Sequence, residues 1–155
     1  MKKLCLDING LHEFQQNRHP YLLLDAAEEI IPGKSAKGFK QLKADDWWFE
    51  VHFPGDPNMP GALQIEAMVQ LGALMVTTLP GNKCKVVYLI SANNLKLIKK
   101  IVPGDRLDLE TKLLSWNRGM GKCSGAGYVK GQKVCCIDFK IVMPHILGEY
   151  KVKNN

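Results

Sequence analysis

Residues 62–79, ALQIEAMVQLGALMVTTL, form a stretch that is apolar on nearly every side, with Pro60 just ahead of it and Pro80-Gly81 just past it. That length and punctuation predict a helix over Ala62 to Leu79. A helix with no broad polar face cannot lie on a surface, so it must be enclosed on most of its circumference. What remains of the chain must supply the enclosure. Ahead of the helix, Pro54, Pro57 and Pro60 with Gly55 and Gly61 forbid regular helix or central strand and predict a rigid loop over 54–60.

From Cys84 the pattern changes to period two and to β-branched residues, in four runs: KCKVVYLISANNLKL, KKIVPGDRLDLETKLLSWN, MGKCSGAGYVKG and QKVCCIDFKIVMP. Asn93-Asn94, Pro103-Gly104-Asp105, Asn117-Arg118-Gly119 and Lys130-Gly131 are read as the turns of an antiparallel meander. Upstream, Pro20 to Ile31 reads as a strand of about 6 to 8 residues with a following acidic bend, closed by Pro32-Gly33, and Lys34 to Lys43 alternates weakly. Trp47, Trp48 and Phe49 are read as core or interface. The expectation is an α+β fold in which a long antiparallel sheet wraps one central helix. At 155 residues this is one domain, 1–155, with the tail after Pro144 loosely ordered.

Five cysteines (Cys5, Cys84, Cys123, Cys135, Cys136), odd in number and without a C-x-x-C pair, point to neither a disulfide framework nor a zinc site. Reduced, mostly buried thiols in a cytoplasmic protein are expected. Asp7, Asn9 and Gly10 interrupt the N-terminus before any signal-like apolar run, and no segment approaches the ~20 apolar residues that span a bilayer. The net charge of +6 suits an acidic partner. Its clearest cluster is Lys96, Lys99 and Lys100 with Arg106, read as a charged edge or as a docking patch for an acidic protein. No interleaved aromatics suggest nucleic acid.

The chemistry concentrates in VHFPGDPNMPGALQIEAMVQ, residues 51–70. His52 has the side chain suited to taking and returning protons near neutral pH. Glu66 stands among Ala, Leu, Ile, Met and Val, so it must be paired or perform chemistry, and burial would keep it protonated and able to donate. Gly61 sits where free N–H groups at a helix start can polarise a carbonyl. Gln70, four residues after Glu66, shares its helix face and can orient the carboxyl. Base, acid and polariser together fit elimination of water beside a thioester carbonyl. Taken alone, His52 reads first as a loop histidine bonded to a backbone carbonyl, and Glu66 equally as one half of an interface salt bridge; with the Pro/Gly-locked loop and the helix start the catalytic reading becomes the better one. Glu66 lies roughly 7 Å beyond Gly61 along the helix. Whether it meets His52 within one chain stays open, and a two-fold dimer could bring His52 of one subunit to Glu66 of the other.

The run HFPGDPNMPGALQIEAMVQ closely resembles the active-site signature of the hotdog-fold (3R)-hydroxyacyl-acyl-carrier-protein dehydratases. NRHPYLLLD at 17–25 and IVPGDRLDLETKLLSWNRGMGKCSGAGYVKGQ at 101–132 are similar to the flanks of that family, so the likeness covers nearly the whole chain. The resemblance implies that His52 is the catalytic base, Glu66 the second catalytic group, and the Gly61 N–H the donor to the thioester carbonyl. It also implies substrate contacts from Phe53, Met59, Pro60 and Gln70. Glutamate at position 66 resembles the FabZ-type branch, in which the double bond is not isomerised. No metal or organic cofactor is implied; the implied partners are an acyl carrier protein and a second copy of the chain, in a homodimer with a shared tunnel or a trimer of such dimers.

Val51 departs from the pattern, because the family commonly has glycine there. Valine resists positive φ, so a different backbone approach to His52 or a different tunnel shape is expected. With the bulky Trp47-Trp48 pair, this bears on acyl-length preference and on a specialised pathway. The rival readings are a thioesterase on the same fold and a non-catalytic acyl-binding subunit.

Overall fold

The structure is a computed structural model that describes residues 2–149. In chain order it comprises β1 (Leu4–Leu6), α1 (Ile8–Phe14), β2 (Ala26–Ile31), β3 (Ser35–Gln41), α2 (Trp47–Val51), α3 (Gly61–Thr77), β4 (Tyr88–Leu97), β5 (Arg106–Asn117), β6 (Met120–Val129), β7 (Gln132–Val142) and α4 (Pro144–Glu149). The strands form one seven-stranded sheet in the order β1-β2-β3-β5-β6-β7-β4, antiparallel throughout. The sheet wraps α3 in the hotdog arrangement that the apolar helix demanded. No helix among the described residues is long and apolar enough to cross a membrane.

Alternation fixes which sheet face meets the helix. Leu107, Leu109 and Thr111 of β5, and Cys135, Ile137, Phe139 and Ile141 of β7, are buried at every second position. They meet Ala67, Met68, Leu71, Leu74 and Met75 of α3, all fully buried. Close approach is made by omission: the Phe139 ring stands against Gly72 of α3, and the place of a Cβ on Gly72 is 2.8 Å from Phe139 Cζ.

Several sequence expectations are corrected. The strand begins at Ala26 rather than Pro20; residues 20–25 are buried through Leu22, Leu23 and Leu24, and the Leu23 N–H bonds to the side chain of Gln70 instead of a ladder partner. Asn93-Asn94 is no turn. It sits inside β4 at a register shift between Asn93 and Lys96, with Asn94 at φ 53 and its Nδ2 donating to Asp138 Oδ2 at 2.8 Å. The left-handed tolerance of asparagine serves a bulge as well as a turn. Only β5, β6 and β7 meander; β4 crosses to the outer edge beside β7, because the chain leaving α3 returns on that side. β1 and α1 were not foreseen, although Asp7 caps α1 by accepting from the Gly10 N–H at 2.9 Å. The segment after Met143 begins with α4, whose half-buried Ile146 packs on the core; the rest of the expected loose tail lies outside the described residues.

All five cysteines are free, but only Cys123 and Cys135 are buried; Cys84 and Cys136 are half-buried and Cys5 is exposed. Desolvation pushes the two buried thiols up to about 12, so they pack as apolar groups.

Candidate active site

α2 ends at Val51 and the chain turns through His52 into the proline loop. Trp48 and Phe49 anchor α2 in the core, while Trp47 is exposed. Val51 closes the helix with its side chain in solvent and without positive φ, so valine is accommodated where glycine was the family habit. The loop is closed upon itself: Phe53 and Asp56 exchange backbone bonds at 3.0 and 2.9 Å, and the Asn58 N–H returns to the His52 carbonyl at 3.0 Å. Lys100 holds Asp56 through both carboxylate oxygens at 2.7 Å, and the Met59 N–H bonds to the Ile101 carbonyl at 2.8 Å. These ties make the loop a fixed platform.

On it, His52 Nδ1 lies 2.9 Å from the Asn58 carbonyl oxygen. A carbonyl only accepts, so Nδ1 carries the hydrogen and, in the neutral ring, Nε2 keeps its lone pair. The ring is half-buried and stacks on the exposed Phe53 ring at 4.1 Å between centroids. Met59, by contrast, is 1% exposed and belongs to the core.

Pro60 is the N-cap of α3, and its carbonyl takes the N–H groups of Leu63 and Gln64. The N–H groups of Gly61 and Ala62 take no acceptor among the described residues. They remain available at the positive end of a 17-residue helix. A Cβ on Gly61 would strike the Leu97 side chain, so this helix start and the end of β4 are in close approach.

Glu66 is half-buried on the first turns of α3. Desolvation raises its carboxyl above the ordinary carboxylate range, against the opposing hydrogen bond from Gln70 Nε2 at 2.9 Å. Gln70 itself is locked: its Oε1 accepts from the Leu23 N–H at 2.8 Å, which turns Nε2 toward Glu66 Oε1 and toward the Tyr21 carbonyl, the latter at 2.8 Å. The spacing of Glu66 and Gln70 predicted this pairing. The Leu23 and Tyr21 backbone groups that hold the amide were not legible, because they lie far away in sequence and contribute no side chain.

Glu66 and Gln70 open onto a cavity of about 360 Å³ between α3, the segment after α1, and the approach to β4 at Val86 to Leu89. His52 is not among its lining residues. The expected cation cluster divides into three places. Lys99 and Lys100 flank a shallow depression with Lys130, Lys99 donating to Gln132 Oε1 at 2.9 Å. Lys96 stands in a separate depression with Lys112 and Lys133. Arg106 is engaged by Glu28 and Asp108, both at 2.7 Å, and covers the Phe39 ring.

The FabA-like domain model matches residues 16–138. A curated relative in Clostridium novyi (strain NT), 3-hydroxyacyl-[acyl-carrier-protein] dehydratase FabZ, is 38% identical over 140 residues, covering 89% of this chain and 99% of the relative. Its namesake in Pelotomaculum thermopropionicum is 40% identical over 129 residues, covering 83% and 91%. Among solved structures, the dehydratase heterocomplex ApeI:P of Xenorhabdus doucetiae superposes with a TM-score of 0.77 at 14% identity, covering 94% of this chain and 97% of that one. A hypothetical thioesterase of Streptococcus pneumoniae, solved with coenzyme A, gives 0.60 at 13% identity, covering 75% and 82%. These two similarities concern the fold.

Proposed function

This chain belongs to the FabA-like family, and we propose that within the chemistry of that family His52 is the base and Glu66 the acid of its site. The protein dehydrates 3-hydroxyacyl chains carried on acyl carrier protein in fatty acid biosynthesis, with the carrier protein as its partner. The observation that carries the residue assignment is the Nδ1 contact with Asn58, which leaves His52 Nε2 as a lone-pair acceptor. In this reading Nε2 takes the proton from C2 of a (3R)-hydroxyacyl thioester. The Gly61 N–H supports the charge that gathers on the thioester oxygen. Electrons move into a trans C2–C3 double bond, the C3–O bond breaks, and the carboxyl proton of Glu66 leaves with the hydroxyl as water. Raised by burial, the Glu66 carboxyl holds its proton more tightly than an ordinary carboxylate, which suits it to be the donor of the pair.

The active unit in this proposal is a two-fold dimer. His52 lies outside the lining of the Glu66 cavity, and the ten-residue edge strand β4 is exposed nearly end to end, with Tyr88, Leu89, Ile90, Leu95 and Leu97 in solvent. An apolar, unpaired edge of that length calls for cover, and a second copy supplies both cover and a second His52. Lys99 and Lys100, close to the loop that holds His52, are the proposed docking contacts for the acidic carrier protein.

An assay with 3-hydroxyacyl-carrier protein tests the reaction. Dehydration produces an ultraviolet-absorbing enoyl thioester with no free thiol; thiol release without that absorbance would instead indicate thioester hydrolysis.

A further inference from the structure

Lys122 of β6 and Lys140 of β7 stand directly opposite each other in the sheet ladder. Side chains so paired start about 5 Å apart at Cβ, and like charges there repel. Both point away from α3 into solvent, because their chain neighbours Cys123, Phe139 and Ile141 are buried on the inner face while the two lysines are exposed. Their other cross-strand neighbours are uncharged: Ser115 faces Lys122 and Ser91 faces Lys140. Among the described residues neither lysine has a carboxylate partner. The acids further along that face are engaged elsewhere, Asp138 by Asn94 Nδ2 at 2.8 Å and Glu110 by Lys37 at 3.1 Å.

The facing lysines line a depression of about 500 Å³ on the outer side of the sheet. Arg118, on the adjoining turn, adds a third positive charge to its wall, no acid lines it, and the exposed side chains of Ile90 and Met120 give it an apolar flank. Its volume is that of a small-molecule site. Two ammonium groups rooted about 5 Å apart can close on one head group, which then removes their repulsion. A phosphate monoester brings nearly two negative charges and three acceptor oxygens at neutral pH, whereas a carboxylate brings one charge. We propose that this depression binds a single-chain amphiphile with a phosphate-monoester head, the head between Lys122 and Lys140 and the chain along Met120 and Ile90. The site is separate from His52 and Glu66, so the inference does not rest on the dehydratase reading. Pairing of two copies along the β4 edge widens the sheet sideways and leaves this face open.

The test is calorimetric titration of the full chain with decyl phosphate below its micelle concentration, beside decanol and inorganic phosphate. Decyl phosphate should bind at least about tenfold more tightly than either, since only it engages both halves of the site. The double variant Lys122→Gln with Lys140→Gln should weaken it about tenfold or more, and Met120→Ser should bring it toward inorganic phosphate. Decanol binding as tightly as decyl phosphate, or an affinity unchanged in the double variant, would overturn the proposal. So would inorganic phosphate binding as tightly, which would leave an anion site that reads no chain. Without ligand, the thermal midpoint of the double variant should hold or rise as the repulsion is relieved; a lower midpoint would mean that the lysines serve the fold and not a ligand. If decyl phosphate fails to bind while the double variant loses affinity for the carrier protein, the face is a protein-docking surface and the proposal falls.

Discussion

His52 and Glu66 are held by different kinds of partner, and the difference decides what each substitution tests. His52 is fixed by a backbone carbonyl, is half-buried and stacks on the exposed Phe53 ring, so His52→Ala removes the ring without opening the core. Turnover should fall by at least about 10²-fold while the circular dichroism spectrum and thermal midpoint stay near wild type. Retention of activity would end the assignment. Glu66 is held by a side-chain amide and has a raised pKa, which makes its contribution to stability depend on pH. Its folded pKa exceeds the unfolded value. Stability is therefore fully present below the unfolded carboxyl pKa and declines as pH rises through the folded one, because ionisation then costs more in the native protein. Glu66→Gln cannot ionise. Its thermal midpoint relative to wild type should rise from pH 4 to pH 8, while its dehydratase rate falls at every pH; a difference in midpoint that is flat across that range would show that burial does not perturb this carboxyl.

At the scale of elements, the contact between α3 and the sheet depends on where side chains are missing. The Phe139 ring is 2% exposed and lies between Gly72 of α3 and Gly125 of β6, with a Cβ on Gly72 placed 2.8 Å from Cζ and one on Gly125 3.5 Å from Cε1. The ring has no space to retreat. Gly72→Ala should gain ~1 kcal/mol of helix propensity yet lose ~1–3 kcal/mol to overpacking, a net destabilisation of about 1 kcal/mol read from the urea midpoint. A stabilised variant would mean that the helix moves off the sheet at little cost. The same α3 was the most legible element in the sequence, because Pro60 and Pro80-Gly81 bracket it and its apolar circumference has only one structural solution. Elements whose fate depends on remote partners were less legible. The apolar Leu22 to Leu24 run looked like a strand, but its hydrogen bonding goes to Gln70 on α3. Asn93-Asn94 reads as a chain reversal in the sequence, but the left-handed tolerance of asparagine serves a bulge inside β4 instead. In the site, the pairing of Glu66 with Gln70 follows from helical spacing, whereas Gln15 reaches the Gln70 carbonyl only because α1 ends beside α3.

For the whole molecule, charge and symmetry carry the remaining consequences. Lys99 and Lys100 project from the segment that also ties down Asp56, so Lys99→Glu with Lys100→Glu should raise KM for a carrier-bound substrate well beyond its effect on a small thioester analogue; equal effects on both would remove the docking role. The proposed dimer admits a sharper test, because a composite site can be rebuilt from two inactive proteins. In a mixture of His52→Ala and Glu66→Gln subunits that exchange freely, half the dimers are mixed at equal input. If each site takes His52 from one subunit and Glu66 from the other, every mixed dimer holds one doubly altered site and one intact site. Activity should then recover to about a quarter of wild type, from two preparations that are inactive alone. If both residues of a site come from one chain, no arrangement of the mixture contains an intact pair and no activity returns. Replacing Ile90 on the exposed edge of β4 by Glu should weaken the pairing and abolish the recovery, with sedimentation showing the monomer. Recovery that persists in a sedimenting monomer would contradict the shared site.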